Sequence, residues 1–264
     1  MSERPAFRRV ALTSFFIGIT AGVFGGLVGV GGGVVMVPLL TAVARLSQHE
    51  AHAASLAGIV VTGLGGALTY WAGGAVNLNV ALVLASVAVV ATYAAARYAT
   101  RIPALRLRAF FGGFLVFAAV LLLLKDELLG LRAPQGSWTT VFLIGMGVLV
   151  GVTSGVLGVG GGALMVPLLV IGLGMTQHIA QGTSLAAMVP SGVSGTIAHM
   201  RTGSLRTDAV CGLVPGIALG SWTGGSLALG MASDTLQILF SVVLVLLGFE
   251  YIRGYHRARR MPRP

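Results

Sequence analysis

The chain has 264 residues, of which 56% are apolar and only 9% charged, with 40 glycines and a formal net charge of +10. So much apolar surface cannot be buried behind so little charge in water, which excludes a soluble globular domain. The arginines sit in short loops and at the two ends, where they orient a membrane chain, so the positive balance does not mark a nucleic-acid partner.

The first predicted element, residues 10–45, is a long apolar segment broken by glycine, with GLVGVGGGVVMVPLL at residues 26–40. Its beginning has the layout of a signal peptide, but residues 14–40 have an internal counterpart at 143–169, so the segment is structural. Three ordinary apolar spans follow at 51–71, 78–97 and 109–124, close to the ~20 residues that cross about 30 Å of hydrocarbon. A polar linker, KDELLGLRAPQGS, occupies 125–137. The second half runs in the same order: a glycine-broken segment at 138–173, then spans at 179–200, 209–229 and 235–252. A basic tail at 254–264, expected in the cytoplasm, closes the chain. The apolar runs are continuous rather than alternating, which argues against a membrane β-barrel. Cys211 is the single cysteine, so there is no disulfide framework, and neither metal nor cofactor is expected.

The two halves are copies. Residues 155–169 read GVLGVGGGALMVPLL, 129 positions after 26–40, and from Gly25 and Ser154 onward eleven of sixteen positions are identical. The same offset relates Gly18, Gly22 and Gly26 to Gly147, Gly151 and Gly155, Gln48-His49 to Gln177-His178, and Ser55 to Ser184. The repeats are therefore bounded at 10–124 and 138–253.

Charge discriminates between two topologies. If all eight segments crossed from a cytoplasmic amino terminus, Arg45, Arg97, Arg101, Arg106 and Arg108 would lie outside. If each glycine-broken segment doubles back, only Lys125 and Arg132 of the 17 basic residues lie outside. Basic residues in short loops stay inside, so the doubled-back arrangement is better supported than a plain eight-span chain. It leaves three crossings per half, an odd number that inverts the second repeat. The expected fold is thus an all-α polytopic membrane protein of two homologous halves arranged as inverted repeats, each a hairpin-like glycine-broken segment plus three transmembrane helices. Sites in such architectures lie near mid-membrane where helices are broken.

The breaks are the candidate site. Gly31, Gly32 and Gly33, and Gly160, Gly161 and Gly162, free backbone groups that must be satisfied inside the bilayer. The helices that begin after them aim unpaired N–H groups and positive dipole ends at the membrane centre, an anion site that needs no cationic side chain. The upstream series from Gly18 has the small-xxx-small spacing of close helix packing instead. No Asp, Glu, Lys or Arg falls at the centre of a predicted span, which argues against a cation pump or proton relay. The polar groups at depth are hydroxyls; Ser55, Thr183 and Ser184 are candidate donors to an anion, although such hydroxyls also bond their own backbone. Gln48 and His49, and Gln177 and His178, open the span after each break, either as interfacial helix starts or as a gate, histidine being titratable near neutrality. His52 and His199 have no histidine at the matching position of the other half.

The doubled G-x-G-G-G-x-x-x-V-P-L block (Gly29–Leu39 and Gly158–Leu168), with Q-H and S-L-A after it, resembles the sulfite exporter TauE/SafE family, also called the toluene-sulfonate uptake permease family. The resemblance covers all but the tails and the linker. It implies a multi-pass transporter of the bacterial inner membrane with both termini cytoplasmic. The implied cargo is a small inorganic or organosulfur anion, sulfite or a sulfoacetate-like sulfonate, usually moved outward. Two other readings stand beside it: a passive anion channel on the same scaffold, and an intramembrane serine hydrolase using Ser194 of Gly192-Val193-Ser194-Gly195 with His199 or His178 as base. Substrate identity, direction, coupling and oligomeric state, a homodimer among the options, are left open by the sequence.

Overall fold

The computed structural model describes residues 3–98, 104–124, 137–158, 160–201 and 203–260. The linker at 125–136 lies outside the described residues, as do Arg101, Lys125 and Arg132. Among the described residues there are ten helices and no strand. The first half holds α1 (Glu3–Val28), α2 (Gly33–Ala42), α3 (Gln48–Ala72), α4 (Leu78–Arg97) and α5 (Ala104–Leu123). The second holds α6 (Ser137–Leu157), α7 (Gly162–Leu173), α8 (Gln177–Arg201), α9 (Thr207–Leu229) and α10 (Ser233–Arg260). α10 continues through Arg260 and absorbs most of the segment read as a tail.

Six of these helices are long and apolar enough to cross a membrane, from α1, α3, α4, α6, α9 and α10. α8 is equally long, at 25 residues, about 37 Å of helix. Its apolar character is diluted by Gln177, Gln181, Thr183, Ser184, Ser191 and Ser194, all of them buried. A helix polar on its inner side and covered by apolar neighbours is a central element, and α3, packed along α8, is its counterpart.

Packing follows the small residues. α1 lies along α9 because Gly18 and Gly22 bring the backbones together: a Cβ on either would stand 2.7 Å from the Leu213 or Ile217 carbonyl oxygen. Gly147, Gly151 and Gly155 of α6 do the same against α4, where a Cβ on Gly155 would stand 2.6 Å from the Thr92 carbonyl oxygen. In a bilayer, where lipid tails are as apolar as leucine, such close approach is what holds helices together. The 129-residue shift turns the α1–α9 pair into the α6–α4 pair. It carries α3–α9 into α8–α4 and leaves α3–α8 and α5–α10 as themselves. The helix contacts therefore have an internal two-fold.

Those contacts also fix the ends. Glu50 at the start of α3 meets Arg206 before α9, and Arg201 at the end of α8 reaches Tyr93 near the end of α4. Glu250 and Gly254 of α10 share a cavity with Gln48 and Thr41. These termini lie at one end of the molecule, with Arg45, Arg97, Arg201, Arg206 and Arg253; we call it the arginine end. Asn77 with Thr183, Gln237 with Leu122 and His178 with Ala228 mark the opposite end.

The glycine-broken segments fold back. α1 is 26 residues long, and the chain then reverses so that a Cβ on Gly32 would stand 2.5 Å from the Ala21 carbonyl oxygen. α2, only 10 residues or about 15 Å, returns toward the arginine end, where Thr41 lines a cavity with Gln48. The second copy repeats the reversal, with Gly161 against Val150. Pro38 and Pro167 fall inside α2 and α7, past the first turn.

Candidate functional site

The reversal is built from positive-φ glycines. Gly29, Gly31 and Gly32 have φ of 74°, 85° and 73°, and Gly158, Gly160 and Gly161 have 65°, 88° and 74°. This is left-handed backbone, in which any other L-residue is strained, so the G-x-G-G spacing is a conformational requirement. Gly33 and Gly162 lack that φ; Gly162 is required by contact, since its Cβ would stand 2.5 Å from the Gly29 carbonyl oxygen and 2.8 Å from Val30 Cα. Two loops 129 residues apart in sequence thus touch.

They touch at the centre of the fold. Gly31 faces Met188 Sδ, 3.1 Å from where its Cβ would be, and Gly160 faces Ile59 Cδ1 at 3.0 Å and Met188 Sδ at 3.3 Å. Ile59 and Met188 are themselves an offset pair, both fully buried. The helices that start here, α2 and α7, have Gly32 and Gly161 as N-caps and no side-chain capping bond. Their positive ends, where backbone N–H groups have no intrahelical acceptor, converge on this spot. No buried Asp, Glu, Lys or Arg occurs among the described residues except Asp208, which pairs with Arg206 at the arginine end.

The hydroxyls are latches in this structure. Ser55 donates between the carbonyls of His52, at 2.9 Å, and Gly158, at 2.8 Å. Ser184 mirrors it between Gln181, at 2.9 Å, and Gly29, at 2.8 Å. Each serine ties its central helix to the glycine loop of the other half. Thr183 accepts the Asn77 N–H at 2.9 Å. Ser194 donates to the Val89 carbonyl at 2.7 Å, which engages its proton with backbone rather than with a base.

The two ends differ. At the arginine end a cavity of 300 Å³ descends from Glu250 and Gly254 past Gln48 and His52 to Val34, the second residue of α2. Gln48 Nε2 and His52 Nε2 lie 3.1 Å apart, and His49 is exposed beside them. Arg206, N-cap of α9, is held charged by its bonds to Asp208 and then Glu50, which raise its pKa. At the opposite end Gln177 is wholly buried, and His178 bonds the Ala228 carbonyl at 3.0 Å. Tyr70 hydroxyl lies 2.6 Å from Gln181 Oε1 and 3.2 Å from the Gly26 carbonyl.

The triple glycines and Ser55 and Ser184 are therefore brought together at the centre, while Gln48 and His49 stand at one end and Gln177, His178 and Thr183 toward the other. Sequence reading missed Gln181 and Tyr70, and noted His52 only as a histidine without a match in the other half. The offset that exposed the repeat places His52 opposite Gln181 and His199 opposite Tyr70; a search for identical pairs passes over positions that share a place but not a side chain.

The comparisons agree with one another. The family described as Sulfite exporter TauE/SafE matches residues 14–251. A protein named "Probable membrane transporter protein YunE" of Bacillus subtilis (strain 168) is 26% identical over 259 residues, covering 89% of this chain and 95% of its own length. "Probable membrane transporter protein YdhB" of the same organism is 27% identical over 218 residues, 81% of this chain and 87% of its own. A "Probable membrane transporter protein" of Xylella fastidiosa (strain Temecula1 / ATCC 700964) is 35% identical over 123 residues, 46% of each chain. No solved structure matches significantly. With the family's signature spanning both glycine loops and every helix from α1 to α10, the chain is a membrane transporter protein that belongs to the sulfite exporter TauE/SafE family.

Proposed function

We propose that this transporter carries small oxyanions, sulfite or organosulfonates, outward across the bacterial inner membrane by alternating access between two inverted repeats. The single observation that carries the reading is the meeting of two uncapped helix N-termini at a two-fold centre devoid of carboxylates. Such a place favours negative charge through backbone N–H groups and helix dipoles, and its low dielectric strengthens that preference. The cavity at the arginine end leads toward it.

The positive-inside rule makes the arginine end cytoplasmic, with both termini there. α2 and α7 are half-membrane helices in this frame, each about 15–18 Å of an approximately 30 Å hydrocarbon layer. Their opposite directions give the two repeats opposite senses.

The test is flux of labelled sulfite from proteoliposomes containing the purified protein. Saturable efflux with counterflow is expected, and no flux of sulfite or any sulfonate refutes the substrate assignment. Conductance far above carrier turnover, without counterflow, replaces the carrier with a channel on the same frame.

A further inference from the structure

The two ends of an alternating carrier exchange roles, so the end closed in one structure holds the residues that line the mouth in the other state. The open cavity is walled by one face of α2 and by Gln48 and His52, four residues apart on one face of α3. The 129-residue offset carries these to α7, Gln177 and Gln181. Where Gln48 and Pro38 are exposed, Gln177 is 0% exposed and Pro167 is buried. Where His52 lines the cavity, Gln181 is 0% exposed.

Gln177 and Gln181 are not comfortably buried. Neither Nε2 nor Oε1 of Gln177 has a hydrogen-bond partner, and Gln181 Nε2 has none. Each such group costs about 1–3 kcal/mol when dehydrated and unpaired, and a core position that gains nothing from an amide is better filled by leucine. The geometry also says what is missing. The 2.6 Å contact from the Tyr70 hydroxyl to Gln181 Oε1 is an O–H···O distance, so the acceptor of Gln181 is taken and its N–H donors are left over. Unsatisfied donors on one helix face call for an acceptor ligand.

We infer that Gln177 and Gln181, with the facing side of α7, form a second mouth of the pathway that binds an oxyanion through their amide N–H groups and is closed in this structure. This inference rests on the transport reading above. When the mouth opens, α7 separates from α8, the Tyr70–Gln181 bond breaks, and the two amides face solvent as Gln48 and His52 do now.

The test replaces the single cysteine, Cys211, by serine and introduces Gln48→Cys, Gln177→Cys or Val166→Cys one at a time in the full chain. Proteoliposomes are treated with a membrane-impermeant maleimide from either side, at rest and during sulfite exchange measured in the same preparation. Gln48→Cys is expected to label at rest from the arginine end. Gln177→Cys and Val166→Cys are expected to stay unlabelled at rest and to label several-fold faster during exchange, only from the opposite end.

If exchange proceeds while both remain inert, or label from the arginine end, the second mouth is wrong and the transport reading stands. If the Cys211→Ser protein moves no sulfite at all, the transport reading falls and the mouth with it. Binding is tested separately with Gln177→Glu, which keeps the shape but replaces N–H donors by a carboxylate. Half-saturating sulfite presented at that end is expected to rise about tenfold or more, the loss of one or two charge-assisted bonds. An unchanged value overturns the binding role.

Discussion

Three positive-φ glycines let the conformational cost of the site be separated from its function. Gly31, Gly32 and Gly74 have φ of 85°, 73° and 69°. Alanine at any of them carries a similar left-handed penalty, about 1–2 kcal/mol. Their surroundings are different. Nothing lies within 4 Å of a Cβ at Gly74; at Gly31 the neighbour is the flexible end of Met188, at 3.1 Å; at Gly32 it is the Ala21 backbone carbonyl, at 2.5 Å. Only the last cannot yield, and forcing it adds the roughly 1–3 kcal/mol typical of overpacking. Gly74→Ala and Gly31→Ala should therefore unfold at nearly equal temperatures in detergent, and Gly32→Ala should be less stable by about 2–5 kcal/mol in total. Transport should be ordered differently. Gly74 lies in a surface turn, so its variant should move sulfite normally, whereas Gly31→Ala should lose most flux at the same stability because its methyl group enters the space between Met188 and Ile59. Equal flux from the Gly31 and Gly74 variants, at equal protein levels in the vesicles, refutes the placement of the site at the glycine loops.

Gly22→Leu should abolish folded protein, because its Cβ would stand 2.7 Å from the Ile217 backbone, while Gly145→Ala, with open space around it, should be neutral or stabilising by up to about 1 kcal/mol through helix propensity; size-exclusion profiles of both variants check this. Ser55→Ala and Ser184→Ala should each cost about 1–3 kcal/mol by leaving a buried loop carbonyl unpaired, and by nearly equal amounts since the two latches are matched; a difference above that range in thermal shift contradicts the matching. Gln177→Met should raise the unfolding midpoint, since it removes two unpaired buried polar atoms that cost about 1–3 kcal/mol each, and should lower sulfite flux. A lower midpoint would mean that the amide is satisfied in the membrane.

The sequence makes the duplication, the loop glycines and the charge asymmetry readable because each is dictated by the chain itself. A closely packed left-handed turn favours glycine, and basic residues of short loops favour one side of a bilayer. It was less informative about partners. Gly18, Gly22 and Gly26 announce a close helix contact but carry no sign of what they touch; that is decided by Leu213, Ile217 and Ser221 nearly two hundred positions away. Likewise the hydroxyls of Ser55 and Ser184 read equally well as ligand donors or backbone latches, and only the carbonyls of Gly158 and Gly29 beside them assign them to the loops in this state. α1 runs through Gly18, Gly22 and Gly26 to Val28, because glycines packed against another helix are no obstacle to continuing one.

Duplication leaves the two halves with a shared backbone and partly unshared chemistry, and several of the polar differences fall at the ends. Gly29, Gly31 and Gly32 and their copies agree in φ to within 9°, and the paired serines make the same bonds to within 0.1 Å. Away from that core the matched positions separate: His52 against Gln181, His199 against Tyr70, and Arg206 against Asn77. On the transport proposal, a centre held symmetric would serve a solute that meets the same backbone from either side. Ends that differ meet different surroundings, with Arg206 and His52 at one and the buried Gln177 and Gln181 amides at the other. A site that used side-chain charge would have to be duplicated with its charges. One made of main-chain dipoles is copied whenever the fold is copied, which leaves the side chains at the two mouths free to diverge.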